Sequence, residues 1–235
     1  MKAAVIAAGH GERLQRAGVL GPKPLVRVAG VPLIEHTLNA IRAARLREVV
    51  CIINEESGAV ADHCADVRDL RLTFVRRTTP SSMESLFTLA QHLRDDAFLL
   101  LTVDAIVAPA VVRDFVRAAE EDCSGADGVL ALSTFIDDEK PLRVICDAGG
   151  RVTALGSTVT DSPLVTAGFY VFRPTIFAEV AAARAQQFTA LRQFLAHLVA
   201  RGYDLRGAQV AKSVDVDRPE DIAVAEAFIA SGYQA

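Results

Sequence analysis

Ala7-Ala8-Gly9-His10-Gly11-Glu12-Arg13-Leu14, followed shortly by Pro22-Lys23-Pro24-Leu25, is the stretch on which the reading of this chain turns. The residues before it, Lys2 to Ile6, are an almost unbroken apolar run of strand length, the pattern of a β-strand covered on both faces. Gly9 and Gly11 lack a Cβ, so the backbone after that strand can turn sharply and present its N–H groups to an anion. Arg13 adds a guanidinium fork suited to phosphate oxygens, and Lys23 adds a compact charge on a flexible stem. Ala7, Ala8, Gly9, Gly11, Arg13 and Lys23 together read as a cradle for a triphosphate. The dinucleotide fingerprint wants a third small residue where Leu14 stands, and the Walker pattern wants Lys-Ser/Thr where the chain has Glu12-Arg13. A dinucleotide-binding Rossmann enzyme is therefore a poor reading, although Glu55 does follow the second strand.

Outward from the cradle, apolar spacing predicts a helix over 31–45 with Pro32 in its first turn, a strand over 49–53, a helix over 57–65 and a strand over 71–75. Thr78 to Leu86 then enters a helix running to about Leu93, with Ser81 or Ser82 as its cap. A fourth strand covers 98–103, and a helix covers 109–121, ending in the solvated acidic turn Glu120-Glu121-Asp122. A strand over 127–133 precedes two runs, 142–146 and 151–155, joined by Asp147-Ala148-Gly149-Gly150 as a hairpin. A strand over 164–172, helices near 174–184 and 189–201, and a last helix from Arg218-Pro219 complete the chain. Strands alternating with helices imply a doubly wound, mostly parallel α/β sheet whose ligands gather at the carboxyl ends of its strands. The small hairpin is an excursion from it. No repeat or linker interrupts residues 1–235, which read as one domain.

Two acidic positions fall where such ligands gather. Asp104 stands just past the apolar fourth strand, a costly place for a carboxylate unless it caps a helix or holds a cation. Asp215 and Asp217, in Ser213-Val214-Asp215-Val216-Asp217-Arg218-Pro219-Glu220-Asp221, share one side of an extended segment, and one of them is placed to cap the following helix. Thr166 and Gly168, in Val165-Thr166-Ala167-Gly168-Phe169-Tyr170, offer a hydroxyl and a close approach to backbone. His10 is within the loop, either touching a phosphate or facing solvent.

Residues 3–36, AAVIAAGHGERLQRAGVLGPKPLVRVAGVPLIEH, resemble the N-terminal signature of the sugar-phosphate nucleotidyltransferases: AAGxGxR(L), a short loop, PKPL, then a Gly-x-Pro-Leu-Ile helix start. The resemblance implies a Rossmann-like, GT-A-like fold and a magnesium-dependent enzyme that couples a nucleoside triphosphate to a phosphorylated sugar or alcohol, releasing pyrophosphate. Arg13 and Lys23 would then be catalytic, and Ser81 and Ser82 would lie beside the nucleobase and ribose. Asp104 would hold magnesium with Asp217, or with Asp215, and Thr166 and Gly168 would face the acceptor. The later motifs are similar to cytidylyltransferases for inositol phosphate or phosphocholine and compatible with uridylyl- or guanylyltransferases, so CTP or UTP is favoured. The chain departs from the family in three places: the Asn-rich version of 78–86 is absent, Val103 replaces the usual glycine before Asp104, and no lysine follows the hairpin at Gly156-Ser157-Thr158. Arg143 and Lys140 are candidates to compensate for that lysine. The same departures motivate the rival reading, a nucleotide-binding regulatory domain without turnover.

Composition narrows the class. Hydrophobic residues make up 51% and charged residues 23%, which excludes a disordered or fibrous chain. A net charge of −4 argues against a protein built to hold nucleic acid or an anionic membrane. No apolar run approaches the ~18 residues of a membrane span, and the N-terminus does not resemble a signal peptide. Cys51, Cys64, Cys123 and Cys146 are scattered, as expected of unpaired thiols in a reducing cytoplasm. A homodimer stays open.

Overall fold

The computed structural model describes residues 1–121, 125–135, 141–156 and 159–234. Asp122, Cys123, Lys140, Ser157 and Thr158 lie outside the described residues. In chain order the first elements are β1 (Lys2–Ala7), α1 (Glu12–Arg16), β2 (Arg27–Val28), β3 (Val31–Pro32), α2 (Leu33–Ala43), β4 (Glu48–Ile53), α3 (Gly58–His63) and β5 (Arg71–Arg76). The middle of the chain forms α4 (Ser82–Leu89), β6 (Phe98–Thr102), β7 (Ala105–Val107), α5 (Pro109–Glu121), β8 (Gly128–Ser133), β9 (Val144–Cys146) and β10 (Val152–Leu155). The last elements are β11 (Val165–Phe172), α6 (Val180–Ala185), α7 (Leu191–Ala200), β12 (Leu205–Gln209), β13 (Ser213–Asp215) and α8 (Pro219–Ala230).

Seven strands form one sheet in the order β12-β8-β11-β6-β1-β4-β5. Only β11 runs against its neighbours, β6 and β8; all other pairings are parallel. The expected doubly wound, mostly parallel α/β fold is therefore the observed one, and β9 and β10 form the expected antiparallel hairpin. Alternation along β1 shows why both sheet faces must be covered. Ala3, Val5 and Ala7 pack in one buried cluster with residues of α2, α5 and α8, whereas Ala4 and Ile6 pack in the other with residues of α4 and α7. In α5, Val112, Phe115, Val116 and Ala119 recur at helical spacing and are buried, and Phe115 meets Phe169 of β11 edge to face at 5.0 Å.

Several boundaries differ from the sequence reading. Val31–Pro32 pairs with Arg27–Val28, so Pro32 precedes α2 and is not in its first turn. The last turn before Leu93 is a separate 3-10 turn, Ala90–His92. β7 and β12 escape the sequence pattern altogether, as do the two-residue strands β2 and β3, and β13 falls within the segment read only as extended. Among the described residues no helix is long and apolar enough to cross a membrane.

Candidate active site

The short pair β7 and β13 builds the site. Ser213↔Val107, Val214↔Ile106 and Asp215↔Ala105 pair antiparallel, and the Val216 N–H donates to the Asp104 carbonyl at 3.0 Å. That ladder fixes the turn carrying Asp104 against the segment carrying Asp215 and Asp217. The cradle meets them from the other side: Lys23 Nζ donates to Asp104 Oδ2 at 2.7 Å and to Asp217 Oδ1 at 2.5 Å, and Arg13 Nη1 lies 3.3 Å from Asp217 Oδ2. Lys23 is only 7% exposed, so its charge has little water to fall back on and the carboxylates must neutralise it. Burial would lower the ammonium's pKa, but Asp104 and then Asp217 outweigh it and the net shift is upward. Burial likewise works to raise the Asp104 carboxyl, yet the Lys23 charge and hydrogen bonds from Lys23 and Thr102 leave it below its ordinary value.

Gly11 is required by this packing. It has φ +65°, and a Cβ there would sit 2.9 Å from the Lys23 Cβ. Gly9 is exposed, His10 is exposed, and Ala7 closes the parallel ladder with Ile53 while Ala8 is buried after it. The cap alternative resolves to Ser81, whose Oγ accepts from the Glu84 N–H at 3.2 Å. Neither Asp104, Asp215 nor Asp217 caps a helix. At the start of α8 Arg218 holds the cap position, and Asp221, the third helical residue, reaches back so that its Oδ2 accepts from the N–H groups of Asp217 and Arg218 at 2.9 and 2.7 Å.

A cavity of about 630 Å³ opens over these groups. Arg13, Ser82, Asp104, Asp215 and Asp217 line it, as do Thr166 and Gly168. Gly168 is no incidental glycine: it has φ +83° in a register shift between Thr166 and Tyr170 opposite β8. A Cβ there would stand 3.7 Å from Thr102 Oγ1 and 3.8 Å from Asp215 Oδ1, so the bulge brings β11 up to the acidic segment. Burial pushes the Tyr170 hydroxyl's pKa up and the Asp215 charge adds to that, against a hydrogen bond with Thr166 and the charge of Arg192. Arg143 is spent elsewhere, donating to the Ser162 carbonyl at 2.5 Å.

Sequence reasoning missed Thr102, Arg192, Arg218 and Asp221 at this cavity. Thr102 was legible in principle, standing two residues before Asp104 at the end of an apolar strand. The others carry no local signal, because helix-start residues of ordinary polarity reach the cavity only through the packing of α7 and α8. For a divalent cation, the donor chemistry fits: two carboxylates converge on the single point held by Lys23 Nζ, and magnesium commonly takes one or two carboxylates plus substrate phosphates. Among the described residues no group of three or more His, Cys, Asp or Glu side chains is arranged to hold a metal by itself.

Residues 3–202 match the MobA-like NTP transferase domain. The chain belongs to that family. Among curated relatives, the bifunctional IPC transferase and DIPP synthase of Rubrobacter xylanophilus is 30% identical over 234 residues, 97% of this chain and 51% of the relative. The glucose-1-phosphate thymidylyltransferase of Streptomyces antibioticus is 28% identical over 214 residues, 88% of this chain and 59% of the relative. The chain thus spans about half the length of these NTP transferase relatives. Of solved structures, the inositol-1-phosphate CTP transferase from T. maritima superposes with a TM-score of 0.80 at 18% identity, covering 100% of this chain and 98% of that one. That likeness carries the fold: a Rossmann-like nucleotidyltransferase sheet.

Proposed function

We propose that this chain is a nucleotidyltransferase that joins a nucleoside triphosphate, CTP or UTP in preference, to a phosphorylated sugar or alcohol. The observation that carries this is the convergence of Arg13 and Lys23 with Asp104 and Asp217 beneath one cavity, from segments up to 204 residues apart. Relatives named for transfer to glucose 1-phosphate and a structural neighbour named for inositol 1-phosphate and CTP support the class of reaction.

An acceptor phosphate oxygen attacks the α-phosphorus in line as the bond to the bridging oxygen of the β-phosphate breaks, and pyrophosphate leaves. The acceptor is already an anion, so no protein nucleophile or general base is needed. Gly9 and Gly11 let backbone N–H groups approach the triphosphate, with Ala7 and Ala8 anchoring that loop to β1. Lys23 and Arg13 turn from the carboxylates to the phosphate oxygens, where charge grows as the leaving group departs. Asp104 and Asp217, with Asp215 beside them, are the residues that would hold magnesium, which supplies charge neutralisation at phosphate oxygens when bound. Ser82 lies at the nucleoside side, and Thr166 with the Gly168 backbone at the acceptor side.

A pyrophosphate-release screen with the four nucleoside triphosphates, magnesium, and a panel holding glucose 1-phosphate, mannose 1-phosphate, inositol 1-phosphate and phosphocholine tests this. Release with at least one pair is expected. Nucleotide binding with no release from any pair would favour a regulatory domain instead.

A further inference from the structure

The acids lining the cavity belong to the turn after β6, to β13 and the residues beyond it, and to the first turn of α8. An apolar group of lining residues comes from elsewhere: Phe135 beyond β8, Pro141 and Leu142 ahead of β9, Val165 in β11 and Leu191 in α7. Val165 pairs with Ser133, and the Phe135 N–H donates to Ser133 Oγ at 3.0 Å. Phe135 is therefore tied to the end of β11 that carries Thr166. Its ring is not bare. Lys212, the residue before β13, places Nζ 3.9 Å from the centre of the Phe135 ring and 5.3 Å from that of Phe228 in α8. Lys212 does not itself line the cavity, so its ammonium stands on Phe135 from behind the wall.

Resting on the nucleotidyl-transfer reading above, we infer that Lys212, acting through Phe135, is a specificity-determining residue that excludes acceptors whose alcohol part carries a positive charge and keeps the site for phosphates of sugars and uncharged polyols. An aromatic ring attracts a cation through the negative potential of its face. A ring that already holds an ammonium attracts a second cation less, and the two charges repel. Among the described residues the other aromatic ring lining the cavity is Tyr170, which is stacked on Phe172 at 5.6 Å and brings a hydroxyl hydrogen-bonded with Thr166. The quaternary ammonium of phosphocholine thus meets a ring backed by a cation. A sugar or cyclitol needs no such potential: its C–H face packs on Phe135, and its hydroxyls meet those of Thr166 and Tyr170.

The test compares wild type with Lys212→Met, Lys212→Gln and Lys212→Arg in the full chain. Methionine keeps a contact with both rings while removing the charge, glutamine is a second uncharged replacement, and thermal melts check that each variant is folded. In the pyrophosphate-release assay, wild type is expected to favour glucose 1-phosphate or inositol 1-phosphate over phosphocholine by about tenfold or more in kcat/KM. Lys212→Met and Lys212→Gln should narrow that ratio about tenfold by improving phosphocholine, and Lys212→Arg should keep it because the charge stays. Adding Phe135→Leu to Lys212→Met should cancel the gain, since the ring that would receive the ammonium is gone. A wild-type preference for phosphocholine, an unchanged ratio in the uncharged variants, the same narrowing in Lys212→Arg, or a gain that survives Phe135→Leu overturns the inference. Calorimetric binding of the same three esters, with a non-hydrolysable CTP or UTP analogue present, separates it from the reaction itself. If no pair gives turnover but wild type binds a sugar or inositol ester more tightly than phosphocholine and Lys212→Met narrows the gap, the reaction reading fails and the role of Lys212 stands. Equal gaps in the two proteins, or no binding of any ester by either, overturns it.

Discussion

Lys23 Nζ donates to Asp104 Oδ2 at 2.7 Å across 81 residues of chain, and the same ammonium bonds Asp217. The cation therefore stands at the point where two carboxylates converge, the position a divalent ion would take. Removing it leaves the two acids without their shared ammonium, with Arg13 Nη1 still 3.3 Å from Asp217 Oδ2.

Lys23→Met should lower kcat/KM by about 10²- to 10³-fold, the usual cost of losing a charge that stabilises a transferring phosphate. The same variant should bind Mn²⁺ more tightly than wild type in the absence of nucleotide, on the order of tenfold or about 1.4 kcal/mol. Asp104→Asn should abolish that binding. Titration followed by electron paramagnetic resonance reads both, and weaker Mn²⁺ binding by Lys23→Met would contradict the shared position.

Gly11→Ala should destabilise the protein by about 1–2 kcal/mol for the left-handed backbone, and should also displace Lys23. Gly9→Ala is the control, since a Cβ there meets nothing within 4 Å. Urea denaturation of the pair, with activity measured alongside, separates strain at Gly11 from general sensitivity of the loop. Equal stabilities would remove the packing argument.

The two serines divide their roles. Ser81→Ala removes the cap of α4 and should cost about 1 kcal/mol with KM for the triphosphate unchanged. Ser82→Ala, at a residue lining the cavity, should raise that KM with stability within about 0.5 kcal/mol of wild type. Thermal melts and steady-state kinetics check the pair, and the reverse pattern would exchange the assignments.

Arg184 clamps Glu84 with two hydrogen bonds, at 3.0 and 2.7 Å, and links α6 to the first turn of α4. The hydrogen bond from Arg184 is the main cause of a lowered Glu84 pKa, opposed by burial. A depressed carboxylate contributes stability that is complete above its ordinary value of 4.5 and lost as pH falls through the folded value. Stability of wild type over Glu84→Gln should thus be constant at neutral pH, about 1 kcal/mol or less for so exposed a partner, and vanish below the carboxylate range. Paired denaturation curves at descending pH measure it; a difference that grows on acidification would refute the sign.

Much of this site is legible along the chain because its chemistry is packed into short motifs. The apolar run before Gly9, the prolines around Lys23 and a lone acid after an apolar strand each leave a local mark. Burial amplifies such marks, since a charge past a central strand is affordable only with a partner. What the motifs leave open is which groups meet. Ala105–Val107 and Ser213–Asp215 are too short for any period to register, yet their pairing sets Asp104 beside Asp217. Leu205–Gln209 is likewise silent, because it joins the sheet only by pairing with Gly128–Leu132.

By itself the sequence determined the alternation of strands and helices, the glycine cradle, and the acids and cations that a polyphosphate would need. Tertiary structure alone decided that Lys23 bridges Asp104 and Asp217, that Asp221 reaches back to the N–H groups of Asp217 and Arg218 ahead of α8, and that Arg192 reaches the cavity. Local spacing fixes which side of a strand or helix a residue occupies. Only long-range backbone pairing and packing fix which other side it faces.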